Sequence, residues 1–256
     1  IAIAGDKSLS AYNRSDALAF RDRLLARRVT TATVKRNFEC IRAVWNYSAR
    51  EHGLECNNPF ANMNYGNGVA SKVRKPIPIE NIRQIQQVCF EMDDDIRWLI
   101  ALLSDTGMRL AEAVGLVVSD FHLDAQIPFV RLSEHHWRRL KTPSSQRDIP
   151  LVGVSLWAAK RVVQNASNKF AFPRYCSEQQ CTADYASNTL NKWLKSHVPD
   201  GCVVHSFRHS MRDRLRAVQC PSDMIDQIGG WSTVGVGQGY GEGFTIESMN
   251  IIMKSI

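Results

Sequence analysis

Four short segments of this 256-residue chain hold side chains suited to one kind of chemistry. The first is Thr106-Gly107-Met108-Arg109-Leu110-Ala111-Glu112. Arg109 opens a helix just after a glycine turn, and Glu112, three residues on, shares its face and can orient the guanidinium. The second runs from Leu140 to Leu151, with Lys141 at the tip of an expected hairpin. The third is His205-Ser206-Phe207-Arg208-His209, in which His205 and Arg208 share a helical face while Phe207 and Met211 point to the core. A charged imidazole beside a guanidinium is unfavourable unless an anion lies between them, and a phosphate is such an anion. The fourth is Gly229-Gly230-Trp231-Ser232, followed by Tyr240 in a glycine-rich stretch. A tyrosine flanked by glycines packs little and makes more sense as a group that moves to its target. A phosphodiester transition state gathers negative charge on its equatorial oxygens, which planar guanidinium forks and preorganised donors suit. A phenol has a pKa of ~10, so at neutral pH it attacks only with a base or a strongly cationic setting beside it. Two arginines, a lysine and a histidine supply that setting.

Taken one at a time, each segment also has a plain structural reading: a surface ion pair, a solvated turn lysine, a capping histidine with a surface arginine, a core tryptophan. The elements that must position them are therefore decisive. Ser15-Asp16 reads as a helix start, with Ala17, Phe20 and Leu24 on one face. Thr30, Thr31 and Thr33 offer caps for a longer helix with the stripe Val34, Phe38, Ile41, Trp45, stopped at Gly53. Residues 1–63 thus read as a small helical unit with basic outer faces, and residues 64–78 (NYGNGVASKVRKPIP) as a linker. Residues 79–256 read as the larger domain. There Ile82, Ile85, Val88 and Cys89 give one helix; Ile96, Leu99, Ile100 and Leu103, capped by Asp93–Asp95, give the next. Thr106-Gly107 ends that helix, and another carries Leu110, Ala113, Val114 and Val117 inward. Short extended runs at 129–132, 136–141 and 147–151 predict a small antiparallel sheet. Helical patterns return at 156–163, 186–194, around Phe207–Val218, after Pro221-Ser222, and from Thr245 to the end. The fold class predicted is mainly α with a small antiparallel β-sheet (α+β).

Together and in this order, the segments resemble the tyrosine recombinase (phage integrase) family. Its members show an Arg within TGxRxxE, a Lys on a β-hairpin before an R-x-(I/V)-P-L strand, an HxxR, a G-(H/W)-S and a Tyr about nine residues later. The likeness spans residues ~78–256, and the helical unit before them resembles the family's core-site DNA-binding domain. It implies a site-specific recombinase or integrase that cleaves and rejoins DNA strands through a 3′-phosphotyrosyl intermediate, acting on a phage or mobile element. Tyr240 is then the nucleophile, Arg109 and Arg208 clamp the non-bridging oxygens, and Lys141 is the general acid for the 5′-oxygen. His205 accepts the tyrosine proton or donates to the phosphate, and Glu112 supports Arg109. Trp231 stands where most members carry a second His; Cre-like members have Trp there, and an indole can donate one hydrogen bond but cannot titrate. The family uses no cofactor and no metal, and the sequence holds no acidic cluster of the two-metal kind and no Walker glycine loop. Double-stranded DNA is the implied partner, with a homotetramer on paired sites formed through the C-terminal segment and a host accessory DNA-bending protein. The stripe Met249, Ile252, Met253, Ile256 either packs on its own domain or docks on a neighbouring protomer. Within the same chemistry, a type IB topoisomerase-like enzyme is the alternative; a catalytically silent DNA-binding protein is another.

The distribution of charge fits either a segment that meets a polyanion or a solvated basic surface. The net charge is +7, and residues 1–75 hold 13 Lys+Arg against 6 Asp+Glu, while the remainder balances at 19 of each. Arg21, Arg27, Arg28, Lys35, Arg36, Arg42, Lys72, Arg74 and Lys75 are the candidate phosphate contacts. No stretch approaches the ~18 apolar residues of a membrane span. Seven scattered cysteines without a CxxC pair argue against a disulfide framework and against a zinc site at Cys176, Cys181 and His197. They fit a reducing compartment, and the expected location is the cytoplasm of a bacterial host, at the nucleoid. The chain starts at Ile1, which reads as a piece of a longer protein with an arm-binding domain upstream.

Overall fold

The computed structural model describes residues 3–66, 68–69, 74–231 and 243–256. The chain forms two compact units, Ile1–Val73 and Arg74–Ile256.

The first unit is built on two helices, α1 (Arg14–Ala26) and α2 (Thr31–Glu51). The Asn13 side chain caps α1 by accepting from the Ser15 and Asp16 amides, so the cap lies just ahead of the Ser15-Asp16 start read from sequence. Thr30 caps α2 through the Thr33 amide. Ala17 and Leu24 of α1 meet Val34, Phe38, Trp45 and Ala49 of α2, and Phe60 and Met63 close the core. Phe38 is its centre, with Phe20 at 5.3 Å and Tyr65 at 5.5 Å between ring centroids.

The second unit holds α3 (Ile79–Met92), α4 (Asp95–Thr106), α5 (Leu110–Val114), strands β1 (Phe121–His122), β2 (Phe129–Leu132) and β3 (Arg147–Pro150), then α6 (Gly153–Gln164), α7 (Ala183–Leu194), α8 (Ser206–Ala217), α9 (Ser222–Gly229) and α10 (Ile246–Met253). Asp93 closes α3 in a left-handed conformation and Asp94 caps α4, so the acidic run serves two helices. From Leu99 to Thr106 every residue of α4 is buried, which makes it the axle of the unit. The buried Asp105 on α4 ties its neighbours together. It accepts from Gln86 of α3 at 3.0 Å, from the Val154 amide of α6 at 3.1 Å and from Arg214 of α8 at 3.0 Å. Helix α8, which carries the His205–Arg208 pair, is thereby fixed against the core.

The sheet is antiparallel in the order β1-β2-β3. Val130 pairs with Ile149 on its buried face, and Arg131 pairs with Asp148 outward. Two sequence expectations are corrected here. Residues 136–141 form no strand; Phe121–His122 supplies the third strand instead. Trp137 gives its indole N–H to the Gly115 carbonyl at 3.1 Å and packs edge-on against Phe170. Arg138, 3% exposed, donates to the Glu112 carbonyl at 2.9 Å and to the Ser133 carbonyl. Both side chains are drawn onto the end of α5, so the chain turns back at His135–Arg138 rather than extending. Second, the reading of all cysteines as unpaired fails for Cys176 and Cys181, which form a disulfide across a short antiparallel turn. The backbone pair Ser177–Gln180 brings them face to face.

Helix α10 packs on its own unit against β3, burying Met249 and Met253. Among the described residues no helix is long and apolar enough to cross a membrane.

Candidate active site

Arg109 is the N-cap of α5, placed there because Gly107 ends α4 at φ 60°. Glu112, in the first turn, reaches back to accept from the Arg109 amide at 2.9 Å and from its Nη1 at 2.5 Å. Its other partner is Arg147 on β3, whose Nη2 donates to Glu112 Oε2 at 3.1 Å. Arg147 also donates Nη1 to the Ser145 carbonyl at 2.7 Å and Nε to the Ile228 carbonyl at 2.8 Å. Ser145 closes the circuit, because its Oγ accepts from Arg109 Nη1 at 3.0 Å. Arg109, Glu112, Arg147 and Ser145 thus form a hydrogen-bonded ring joining α5 to β3 and the turn before it.

Arg208 enters from α8. Its Nη1 donates to the Gly107 carbonyl at 2.8 Å, and its Nη2 lies 3.5 Å from the Gly230 carbonyl. Arg109 Nη2 donates to that same Gly230 oxygen at 3.0 Å, so the two guanidiniums converge on one point. The geometry dictates both glycines of the Gly229-Gly230 pair. Gly230 ends α9 at φ 60°, and a Cβ there would meet Arg147 Nη1 at 2.5 Å; a Cβ on Gly229 would strike the Trp231 ring at 1.8 Å. The Trp231 ring lies against Arg208 and Arg212, whose guanidinium carbons are 4.2 and 4.9 Å from its centroid.

The site is electropositive by construction. Three guanidiniums (Arg109, Arg147, Arg208) surround one carboxylate, Glu112, a net of +2. Burial pushes the Glu112 carboxyl up, but Arg147 and Arg109 outweigh it and hold the group below its ordinary value. Burial, and after it the charge of Arg109, push the Arg208 guanidinium down to about 9. A guanidinium has five N–H donors. Among the described residues Arg109 directs three of them to Glu112, Ser145 and Gly230, which leaves two for a substrate.

His205 stands at the N-terminal edge of α8, its outer edge exposed, with His209 5.4 Å away ring to ring. Desolvation, then Arg74, His209, Arg208 and Arg109, push its pKa down to about 4. At neutral pH the imidazole is therefore uncharged. Lys141 is exposed in the connection between β2 and β3. Tyr240 and Lys72 lie outside the described residues.

The remaining sequence candidates are dispersed. Arg27 and Arg28 are exposed at the end of α1, and Lys35 and Arg36 are exposed in the first turns of α2. Lys35 faces Glu39 at 3.9 Å. Arg21 is tied to Asp22 and the Asn64 carbonyl, and Arg42 is half-buried. Arg74 and Lys75 are exposed at the start of the second unit. Sequence reasoning missed Arg147, Ser145, Arg138 and Arg212 as parts of the site. Arg147 had a signal: it alternates with Ile149 on the inward face of β3, an arginine at a core position.

The model of the phage integrase family matches residues 77–242, well over half of the chain. The chain belongs to that family. Tyrosine recombinase XerC of Herpetosiphon aurantiacus is 26% identical over 168 residues, 64% of this chain and 51% of that protein. This phage integrase family chain therefore spans about half the length of the curated relative it matches. Among solved structures, the Tn1549 transposon integrase in complex with circular intermediate DNA aligns with a TM-score of 0.64 at 20% identity, over 97% of this chain and 87% of that one. A lambda integrase dimer bound to a core site aligns at 0.62 and 16% identity, over 90% and 79%. At such identities the likeness is one of fold: the mainly helical integrase fold with its small antiparallel sheet. Among the described residues no cluster of His, Cys, Asp or Glu could hold a metal ion.

Proposed function

We propose that this chain is a site-specific DNA strand transferase that cleaves and rejoins duplex DNA through Tyr240, on a phage or other mobile element. The observation that carries the reading is the convergence of Arg109 and Arg208 on the Gly230 carbonyl, inside a cluster with a net charge of +2. Such a pocket favours the phosphodiester and favours its more highly charged transition state further. Arg109 and Arg208 hold the non-bridging oxygens. Glu112 and Arg147 fix Arg109, and Trp231 supports Arg208. The Tyr240 Oη–P bond forms, the P–O5′ bond breaks, and the departing O5′ takes a proton from Lys141. The uncharged His205 imidazole takes the tyrosine proton. The phosphotyrosine link keeps the bond energy, so a 5′-hydroxyl can reverse the step and rejoin strands without ATP. The exposed basic residues of the first unit hold the duplex, and copies of the chain assemble on paired sites.

The experiment is a pool of duplexes of randomised sequence, each nicked beside a fixed position so that the short product strand escapes. A 5′-labelled strand that becomes protein-linked through its 3′ end, followed by sequencing of that strand, supports the reading and reveals the site. Absence of any covalent adduct across the pool contradicts it. Relaxation of supercoiled plasmid without site preference points to a topoisomerase-like enzyme instead.

A further inference from the structure

We infer that Ser145 is a positioning residue that couples the Lys141 turn to Arg109; the inference rests on the strand-transfer reading above. Ser145 is fully buried, although it belongs to the polar turn Thr142-Pro143-Ser144-Ser145 that directly follows Lys141. All three of its polar groups are engaged. The Ser145 amide donates to the Thr142 carbonyl at 2.9 Å, its carbonyl accepts from Arg147 at 2.7 Å, and its Oγ accepts from Arg109 at 3.0 Å. Thr142 Oγ1 lies 3.0 Å from Ser145 Oγ, and Ser144 Oγ lies 3.0 Å from Thr142 Oγ1.

The arginine anchors this chain of hydroxyls. A guanidinium only donates, so Ser145 Oγ is an acceptor toward Arg109, and its hydroxyl shares a further hydrogen bond with Thr142 Oγ1 in which either atom can be the donor. The result is a hydrogen-bonded link from the guanidinium that holds the phosphate to the residue bonded to Lys141. An exposed turn lysine otherwise samples many backbone and side-chain states, and general-acid transfer is sensitive to displacements of a fraction of an ångström to an ångström. Ser145 fixes the main chain at Thr142 in register with Arg109.

The test uses the duplex recovered from the adduct experiment, made with either the ordinary oxygen or a sulfur at the scissile 5′-bridging position. A thiolate leaves without a proton, so the sulfur duplex bypasses Lys141. Thr142→Val is expected to slow single-turnover cleavage of the oxygen duplex by ~10-fold or more, while the sulfur duplex stays within about twofold of the wild-type rate; Ser145→Ala, which also frees Arg109, is expected to slow both duplexes, the oxygen duplex more. Thr142→Ser, which keeps the hydroxyl, is expected to restore the oxygen rate. Should Ser145→Ala fail to fold, the Thr142 pair carries the test alone, since it leaves the Arg109–Ser145 bond in place. Equal slowing of both duplexes, or no slowing of either, overturns the inference. A wild-type protein that forms no adduct on either duplex sinks the strand-transfer reading instead, and shows it before any variant is made.

Discussion

The guanidinium carbon of Arg208 lies 4.2 Å from the centroid of the Trp231 ring. The indole therefore faces a charged group that has few hydrogen-bond partners and is pushed toward neutrality by burial. Trp231 stabilises the charged form and keeps it aimed at the Gly230 carbonyl. Trp231→Ala is expected to slow adduct formation about 2- to 30-fold, the range that a cation–π contact of about 0.5–2 kcal/mol covers. Trp231→Phe keeps a ring and is expected to lose less. Single-turnover adduct assays measure both, and an Ala variant as fast as wild type contradicts the role.

Glu112 is the carboxylate between two guanidiniums, and its side chain is 4% exposed. Glu112→Gln leaves Arg147 buried without its counter-charge, and the expected cost is about 3–5 kcal/mol of stability. Urea unfolding measures it; a cost below about 1 kcal/mol places the pair outside the folding core. The sign with pH follows from the lowered carboxyl. Its contribution is complete above the ordinary carboxylate range and is lost only as pH falls through the depressed value.

His205 gives stability the same sign of pH dependence, in a higher window. Its pKa is about 4 in the folded chain against 6.5 ordinarily, so between those values the unfolded chain binds more protons. Stability therefore falls as pH drops from 6.5 toward 4, and His205→Asn is expected to flatten that slope. Inorganic phosphate in the arginine cluster offsets the positive neighbours and is expected to raise the His205 pKa. Proton-detected NMR titration reads both effects. A His205 that titrates near 6.5 without phosphate contradicts the assignment.

Arg27, Arg28 and Arg36 are exposed around the turn between α1 and α2. Each phosphate contact contributes about 0.9 to the slope of log affinity against log salt. Replacing all three by Ala in the full chain is expected to weaken binding to duplex DNA and to reduce that slope by about 2.7. Fluorescence anisotropy across a salt series measures it, and an unchanged slope removes these residues from the DNA contact.

Much of the fold was legible because its signals are local. Thr30, Asp94 and Gly107 begin or end helices through their own side-chain or backbone chemistry. The stripe Leu99, Ile100, Leu103 marks α4 without any tertiary knowledge. What sequence could not supply was long-range satisfaction of polar groups. Trp137 and Arg138 look like extended residues until Gly115 and Glu112 offer them carbonyls. Arg147 alternates with Ile149 on the inward face of β3, but its partners, Glu112 and the Ile228 carbonyl, are distant in sequence. Ser145 looks like a turn serine until Arg109, 36 positions away, binds it. The Cys176–Cys181 bridge depends on a turn whose pairing no cysteine spacing rule announces.

The central claim is that a phenolic oxygen takes over a DNA phosphate beside Arg109 and Arg208. The direct measurement is mass spectrometry of the covalent adduct after nuclease and protease digestion, on the wild-type chain and on Tyr240→Phe. The account predicts a nucleotide 3′-phosphate attached to Tyr240, and no adduct in the Phe variant although it still binds the duplex. A phosphate attached to any other residue, or an adduct that survives Tyr240→Phe, contradicts it.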